Sequence, residues 1–169
     1  MLDFLVPEVI LLDPQLDSKE PAIERMVRTL ARHNDLGIEG EALVDSVRRR
    51  EAQASTCLGG GLMVPHGVIT ARHSLLGVMA ISEKGWAFPT PDDEPVHCIV
   101  LLATPKGAAA HHLAVLAALA RLFLLAPELK GRLVAASSPN GVHEILASEE
   151  AGELNYAFER VGQKPEAKG

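Results

Sequence analysis

The spacing of apolar positions changes several times along this chain, and each change predicts an element. Val9–Leu12 is a short apolar run closed by Asp13-Pro14, and it reads as a first strand or an extended lead-in. Ser18 stands where a helix N-cap is expected, with Pro21 tolerated in the first turn. Ile23, Met26, Val27 and Leu30 follow at helical spacing, so an amphipathic helix is expected over 19–33, closed by Asn34-Asp35-Leu36-Gly37. A second helix is expected over 40–52, with Leu43, Val44 and Val47 inward and Arg48, Arg49 and Arg50 near its negative end. Thr56–Gly61 reads as a glycine-rich turn and Leu62–Val64 as a short buried strand ended by Pro65, with His66-Gly67 just past its tip. Leu75–Ser82 reads as another strand, and the proline-rich, acidic stretch Pro89–Pro95 as a loop. Val96–Ala103 is nearly all apolar and rich in β-branched residues, which predicts a central strand buried on both faces. Thr104–Ala108 is read as a loop, 109–125 as a long Ala/Leu helix, and 127–136 and 139–148 as two shorter helices.

Strands alternating with helices imply one α/β domain, a mixed and mostly parallel sheet flanked by helices on both faces. Strand order does not follow from periodicity. The domain is expected over residues 1–150, with 151–169 a charged C-terminal helix or tail whose last residues fray.

Composition narrows the class. The chain has 169 residues, of which 47% are hydrophobic and 22% charged, ordinary values for a globular fold that exclude a disordered chain. A net charge of −6 argues against nucleic acid as a partner, and 4% aromatic residues leave little to stack on bases or sugars. Cys57 and Cys98 cannot form a disulfide framework. Acidic residues interrupt the apolar N-terminus and no long uncharged apolar run exists, so neither a leader nor direct membrane insertion is expected, and the cytoplasm is the expected compartment.

Candidate chemistry lies in the histidines, of which there are seven. His66 follows three glycines and Pro65. Glycines allow backbone N–H groups to approach and cradle an anion, and the proline fixes the backbone beside the imidazole. The plainer reading is a histidine in a βα turn. His111 and His112 open the long helix, where free N–H groups and the positive end of the dipole attract anions. His112 shares a face with Val115, Leu116 and Leu119 and should point to the sheet, whereas His111 should face solvent. The plainer reading there is a partly buried cap-region histidine. The Arg48–Arg50 cluster is either a solvated helix end or a phosphate fork. His33, His73 and His143 lie in polar contexts and read as surface residues, His97 as structural and Cys98 as a core thiol.

The stretch Arg50-Glu51-x3-Ser55-Thr56-x2-Gly59-x-Gly61-x3-Pro65-His66-Gly67 resembles the signature of the phosphotransferase-system enzyme IIA domain of the fructose, mannitol and nitrogen-regulatory type. The resemblance continues through Pro91–His97, the apolar strand, Pro105, His112-Leu113-x2-Leu116-x2-Leu119-Ala120 and Pro127–Lys130 to Leu133–Pro139, in order and spacing over about residues 5–150. It implies the mannitol-type IIA fold and a phosphohistidine carrier. His66 would accept a phosphoryl group from an HPr-like phosphocarrier and pass it to a IIB cysteine, or hold it as a regulatory mark that acts on a transporter or kinase. By the same resemblance His112 would hydrogen-bond the phosphoryl oxygens and Arg50 would neutralise charge, with Thr56, Gly59 and Gly61 as further phosphate donors. No Mg²⁺ or other cofactor is needed in this reading, because cationic and N–H groups take its place. With no IIB, IIC or membrane part of its own, the chain is expected to act through partner proteins. It departs from the family pattern at Cys57, Gly60, Val68 and His111.

Two alternatives belong to other classes. A zinc site would need His66, His111 and His112 to converge, but adjacent helical histidines point apart, so no metal is expected. A regulatory interaction domain would dock on transporters or kinases without transferring phosphate to sugar.

Overall fold

Val96–Pro105 forms the central strand that its apolar run predicts, and the rest of the fold is arranged around it. The computed structural model describes residues 2–70 and 74–154. Its strands are β1 (Ile10–Leu12), β2 (Cys57–Gly59), β3 (Leu62–Met63), β4 (His66–Ile69), β5 (Leu76–Trp86) and β6 (Val96–Pro105); its helices are α1 (Lys19–Asn34), α2 (Glu39–Gln53), α3 (Ala109–Leu125), α4 (Pro127–Val134) and α5 (Pro139–Leu146). A 3₁₀ turn, Pro7–Val9, leads into β1.

The sheet order is β1-β5-β6-β3-β2, with β4 also paired to β6. The pairs β1·β5, β3·β6 and β4·β6 are parallel, whereas β2·β3 and the long β5·β6 pair are antiparallel. The sheet is therefore mixed. Its central pair is antiparallel because the loop 87–95 turns the chain straight back instead of crossing through a helix.

Alternation along β6 sorts the core into two layers. Ile99, Leu101 and Ala103 join the cluster under α1 and α2, together with Leu30, Leu43 and Val47. Cys98, Val100 and Leu102 face the other way, into the cluster with Leu119, Leu122 and Phe123 of α3. Both faces are covered, which is why this strand reads as apolar throughout.

Four elements differ from the sequence reading, one of them β6, which runs on through Thr104 to Pro105 where a loop is expected. Pro65 does not end a strand. Leu62 lies opposite Cys98, Met63 opposite Ile99, His66 opposite Leu102 and Ile69 opposite Pro105, so β3 and β4 keep one register across the proline. Pro65 lacks an N–H, but its carbonyl still accepts from Leu102 N at 2.9 Å. His66 is thus the first residue of a strand rather than a residue beyond one. The glycine-rich segment is a β-hairpin, β2–β3, with Gly60 and Gly61 at φ of 60° and 78°. Strand β5 runs on past Ser82 to Trp86 through a register break with Gly85 at φ 76°, an extension hidden by the polar residues Ser82–Lys84. Ser18 sits at the N-cap of α1 in extended geometry, without a side-chain cap bond. Of the tail 151–169, residues 151–154 continue a helical stretch; the rest, like His73, lies outside the described residues.

Candidate functional site

His66 and the even-numbered residues before it, Leu62 of β3 and Val64, face the α3 side of the sheet, where Leu62 and Val64 are buried. Its ring lies 4.7 Å from that of His112, centroid to centroid, at an interplanar angle of 58°. The mechanism of that meeting is simple. His112 lies in the first turn of α3, on the side that carries the buried Val115 and Leu119. His111, one residue away, is exposed, as its helical angle predicts.

Arg50 comes from the last turn of α2, packed on the opposite face of the sheet but beside its β4 edge. Gly67 makes that approach possible. A Cβ there would lie 2.9 Å from both Leu43 Cδ1 and Val47 Cγ2, and 3.1 Å from Ser46 Cβ, so only glycine lets α2 close on the strand. Arg50 Nε donates to His66 Nε2 at 3.1 Å, and its Nη1 donates to the Ala54 carbonyl at 2.9 Å. On its other edge, His66 Nδ1 lies 2.9 Å from the Val64 carbonyl. A carbonyl only accepts, so the proton of the neutral ring sits on Nδ1 and the lone pair on Nε2. The lone-pair nitrogen therefore faces a guanidinium.

These groups open on a cavity of about 380 Å³ lined by Ser46, Arg50, His66, Gly67, Val68, Thr104, Pro105, Lys106, Gly107, Ala109 and His112. The N-terminus of α3 borders it. No acidic residue stands in that first turn, so the positive end of the helix is not offset. Burial, then the electrostatic influence of the neighbouring His66 ring and the Arg50 guanidinium, hold the His112 pKa below its ordinary value and favour the neutral imidazole. Two imidazoles, an arginine, a lysine at the rim and an unoffset helix end suit a small, multiply charged anion.

Thr56, Gly59 and Gly61 are not brought to this cavity. Both donors of Thr56 go to Glu51: its hydroxyl to Oε2 at 2.6 Å and its amide at 3.2 Å, with Lys19 Nζ on Oε1 at 3.2 Å. Gly59 and Gly61 belong to the hairpin beside the start of β6, where Gly61 O accepts from His97 N at 2.8 Å; His66 lies beside Leu102 near the other end of the strand. The Gly60 amide donates to Asp92 Oδ2 at 3.0 Å, which lowers that carboxyl's pKa. Other sequence candidates are structural. Arg48 pairs with Glu24 at 3.6 Å, and His143 Nδ1 meets the Leu5 carbonyl at 2.9 Å, tying α5 to the N-terminal segment rather than lying free on the surface. His33 is exposed. Cys57 and Cys98 are buried free thiols, and burial pushes the Cys98 thiol up. Among the described residues no three His, Cys, Asp or Glu side chains gather as a metal site.

Sequence reasoning missed Thr104 and Lys106. Thr104 belongs to β6, and its Oγ1 lies 2.8 Å from His112 Nδ1. The signal was present: continuing the alternation of Cys98, Val100 and Leu102 by one step places Thr104 on the α3 face.

The α/β domain thus sets an arginine-paired histidine on a sheet edge against a second histidine at a helix start. The family described as "Phosphoenolpyruvate-dependent sugar phosphotransferase system, EIIA 2" matches residues 3–149, and the chain belongs to it. A nitrogen regulatory protein of Bradyrhizobium diazoefficiens is 30% identical over 145 residues, covering 86% of this chain and 93% of that one. The crystal structure of nitrogen regulatory protein IIA-Ntr from Neisseria meningitidis superposes with a TM-score of 0.76 at 29% identity, covering 86% and 99% of the two chains. The fold is shared by enzyme IIA of the Escherichia coli mannitol system, solved in complex with phosphorylated enzyme IIB (TM-score 0.67, 24% identity, covering 83% and 94%). Among the described residues no single helix is long and apolar enough to cross a membrane.

Proposed function

We propose that this chain is a phosphoryl carrier in which His66 Nε2 receives a phosphoryl group from the phosphohistidine of an HPr-like protein in the cytoplasm. The observation that carries the reading is the tautomer of His66, with Nδ1–H on the Val64 carbonyl and the Nε2 lone pair against Arg50 in an open, cationic cavity. In the transfer, Nε2 attacks phosphorus as the donor's N–P bond breaks, and the donor ring leaves with the electron pair of that bond. The ring of His66 gains positive character, and the Val64 carbonyl stabilises it through the retained Nδ1–H. Arg50 turns its donors from the nitrogen to the phosphoryl oxygens, and His112 and the α3 N-terminus meet the same oxygens. Every contribution is positioning or charge, which is what phosphoryl transfer needs.

The group then passes to a IIB cysteine or remains as a regulatory mark read by a transporter or kinase. Similarity to the two nitrogen regulatory proteins favours the regulatory branch. The test is incubation with enzyme I, an HPr-like carrier and phosphoenolpyruvate, followed by mapping of acid-labile phosphate. Stoichiometric label on His66 is expected. Label on another residue, or full uptake by His66→Ala, would overturn the assignment.

A further inference from the structure

We infer that Thr104 is a positioning residue: its hydroxyl donates to Nδ1 of His112 and so holds that imidazole as the tautomer whose Nε2 carries the proton presented to the phosphoryl group. This rests on the carrier reading above and adds to it a residue outside the histidine–arginine set.

The argument starts from the two rings. They lie 4.7 Å apart, yet each is held at Nδ1 by a different kind of group. At His66 the partner is the Val64 carbonyl, which can only accept, and the proton is thereby fixed on Nδ1. At His112 the partner is the Thr104 hydroxyl at 2.8 Å, which can donate. A neutral imidazole has one proton, and burial, with the Arg50 guanidinium nearby, favours the neutral form of His112. Phosphoryl oxygens only accept, so His112 helps only through an N–H. With Nδ1 on Thr104, the nitrogen left for the cavity is Nε2. A proton on Nδ1 would turn a lone pair toward the phosphoryl oxygens; a proton on Nε2 turns a donor. A donating hydroxyl at Nδ1 selects the second arrangement. Two neighbouring rings then stand in opposite tautomers, one to attack and one to donate. Thr104 is rigidly placed for this, since it lies on β6 opposite Val68 of β4, two residues from His66.

The test uses Thr104→Val, which keeps the shape and the β-branch of this strand position but removes the hydroxyl, and Thr104→Ser, which restores it. Imidazole nitrogen NMR of the whole chain at about pH 8, above the ordinary histidine range, reads the tautomers directly. The expected wild-type result is Nδ1–H at His66 and Nε2–H at His112. Thr104→Val should convert His112 to a mixture, and Thr104→Ser should restore the single tautomer. Phosphoryl uptake from the phosphorylated carrier should slow about tenfold in Thr104→Val, the loss of roughly one hydrogen bond, and recover in Thr104→Ser. An Nδ1–H tautomer at His112 in the wild type, or an unchanged spectrum or rate in Thr104→Val, overturns the inference. Absence of uptake in the wild type overturns the carrier reading instead, and the imidazole spectra still decide for or against Thr104.

Discussion

His66 and His97 sit on adjoining strands with glycines beside them, and both turn Nδ1 to a backbone carbonyl, Val64 at 2.9 Å and Ser82 at 3.0 Å. Their other edges differ. A Cβ on Gly61 would lie 3.0 Å from His97 Cδ2, and one on Gly85 would lie 3.1 Å from its Cε1, so this ring is walled in by backbone. The far nitrogen of His66 instead meets a guanidinium and an open cavity. Glycines near a histidine therefore do not by themselves mark a ligand site. Around His97 they make room for the ring; at Gly67 the missing side chain makes room for a helix that brings a cation.

Substitutions at the two places separate these roles. The largest effect is expected from His66→Ala, which should abolish acid-labile phosphate uptake while circular dichroism and the unfolding midpoint stay near wild type, since the ring is half-exposed. His97→Ala should do the reverse, keeping uptake and lowering stability by about 1–2 kcal/mol through a lost partly buried hydrogen bond and lost packing against Gly61 and Gly85; urea unfolding measures it. Next in size, Arg50→Ala should slow uptake about 10²–10³-fold, the range for removing one charge-stabilising donor, with His66 still labelled. Gly67→Ala should cost about 1–3 kcal/mol by overpacking and also slow uptake, because α2 and Arg50 shift together. Gly61→Ala, at φ 78°, should cost about 1–2 kcal/mol and leave uptake unchanged.

The smallest effect concerns pH. The folded pKa of His112 is lowered, so below about pH 6.5, the ordinary value, the unfolded chain binds a proton that the folded chain resists. Stability should therefore fall as pH drops below that value, and His112→Asn should flatten the trend in urea unfolding at about pH 7.5 and 5.5. An identical slope in the variant would remove His112 as its source.

The elements carried by strong periodicity were legible, as α1 from Ile23, Met26, Val27 and Leu30 and β6 from its unbroken apolar run. The family resemblance alone grouped His66, His112 and Arg50, and the structure brings the three side chains to one cavity. What was not legible depended on pairing. Pro65 is a stop signal locally, but a strand loses only one donor there, and the neighbouring β6 carries the register across. The glycines looked like an anion cradle, but the hairpin they form lies beside the wrong end of β6. Thr104 reads as the start of a loop, whereas the ladder to β4 runs on through Pro105.

One arrangement at the β4 edge bears on how any carrier meets this protein. The Val68 amide is taken by Ser46 Oγ at 3.0 Å, the Thr70 amide by Glu39 Oε1 at 3.1 Å and the Val64 carbonyl by the His66 ring. Two amides and one carbonyl that an added strand would use are thus already held by side chains. A strand added there would first have to displace Ser46 and Glu39 from these amides, so the edge resists lengthening of the sheet by a visiting protein.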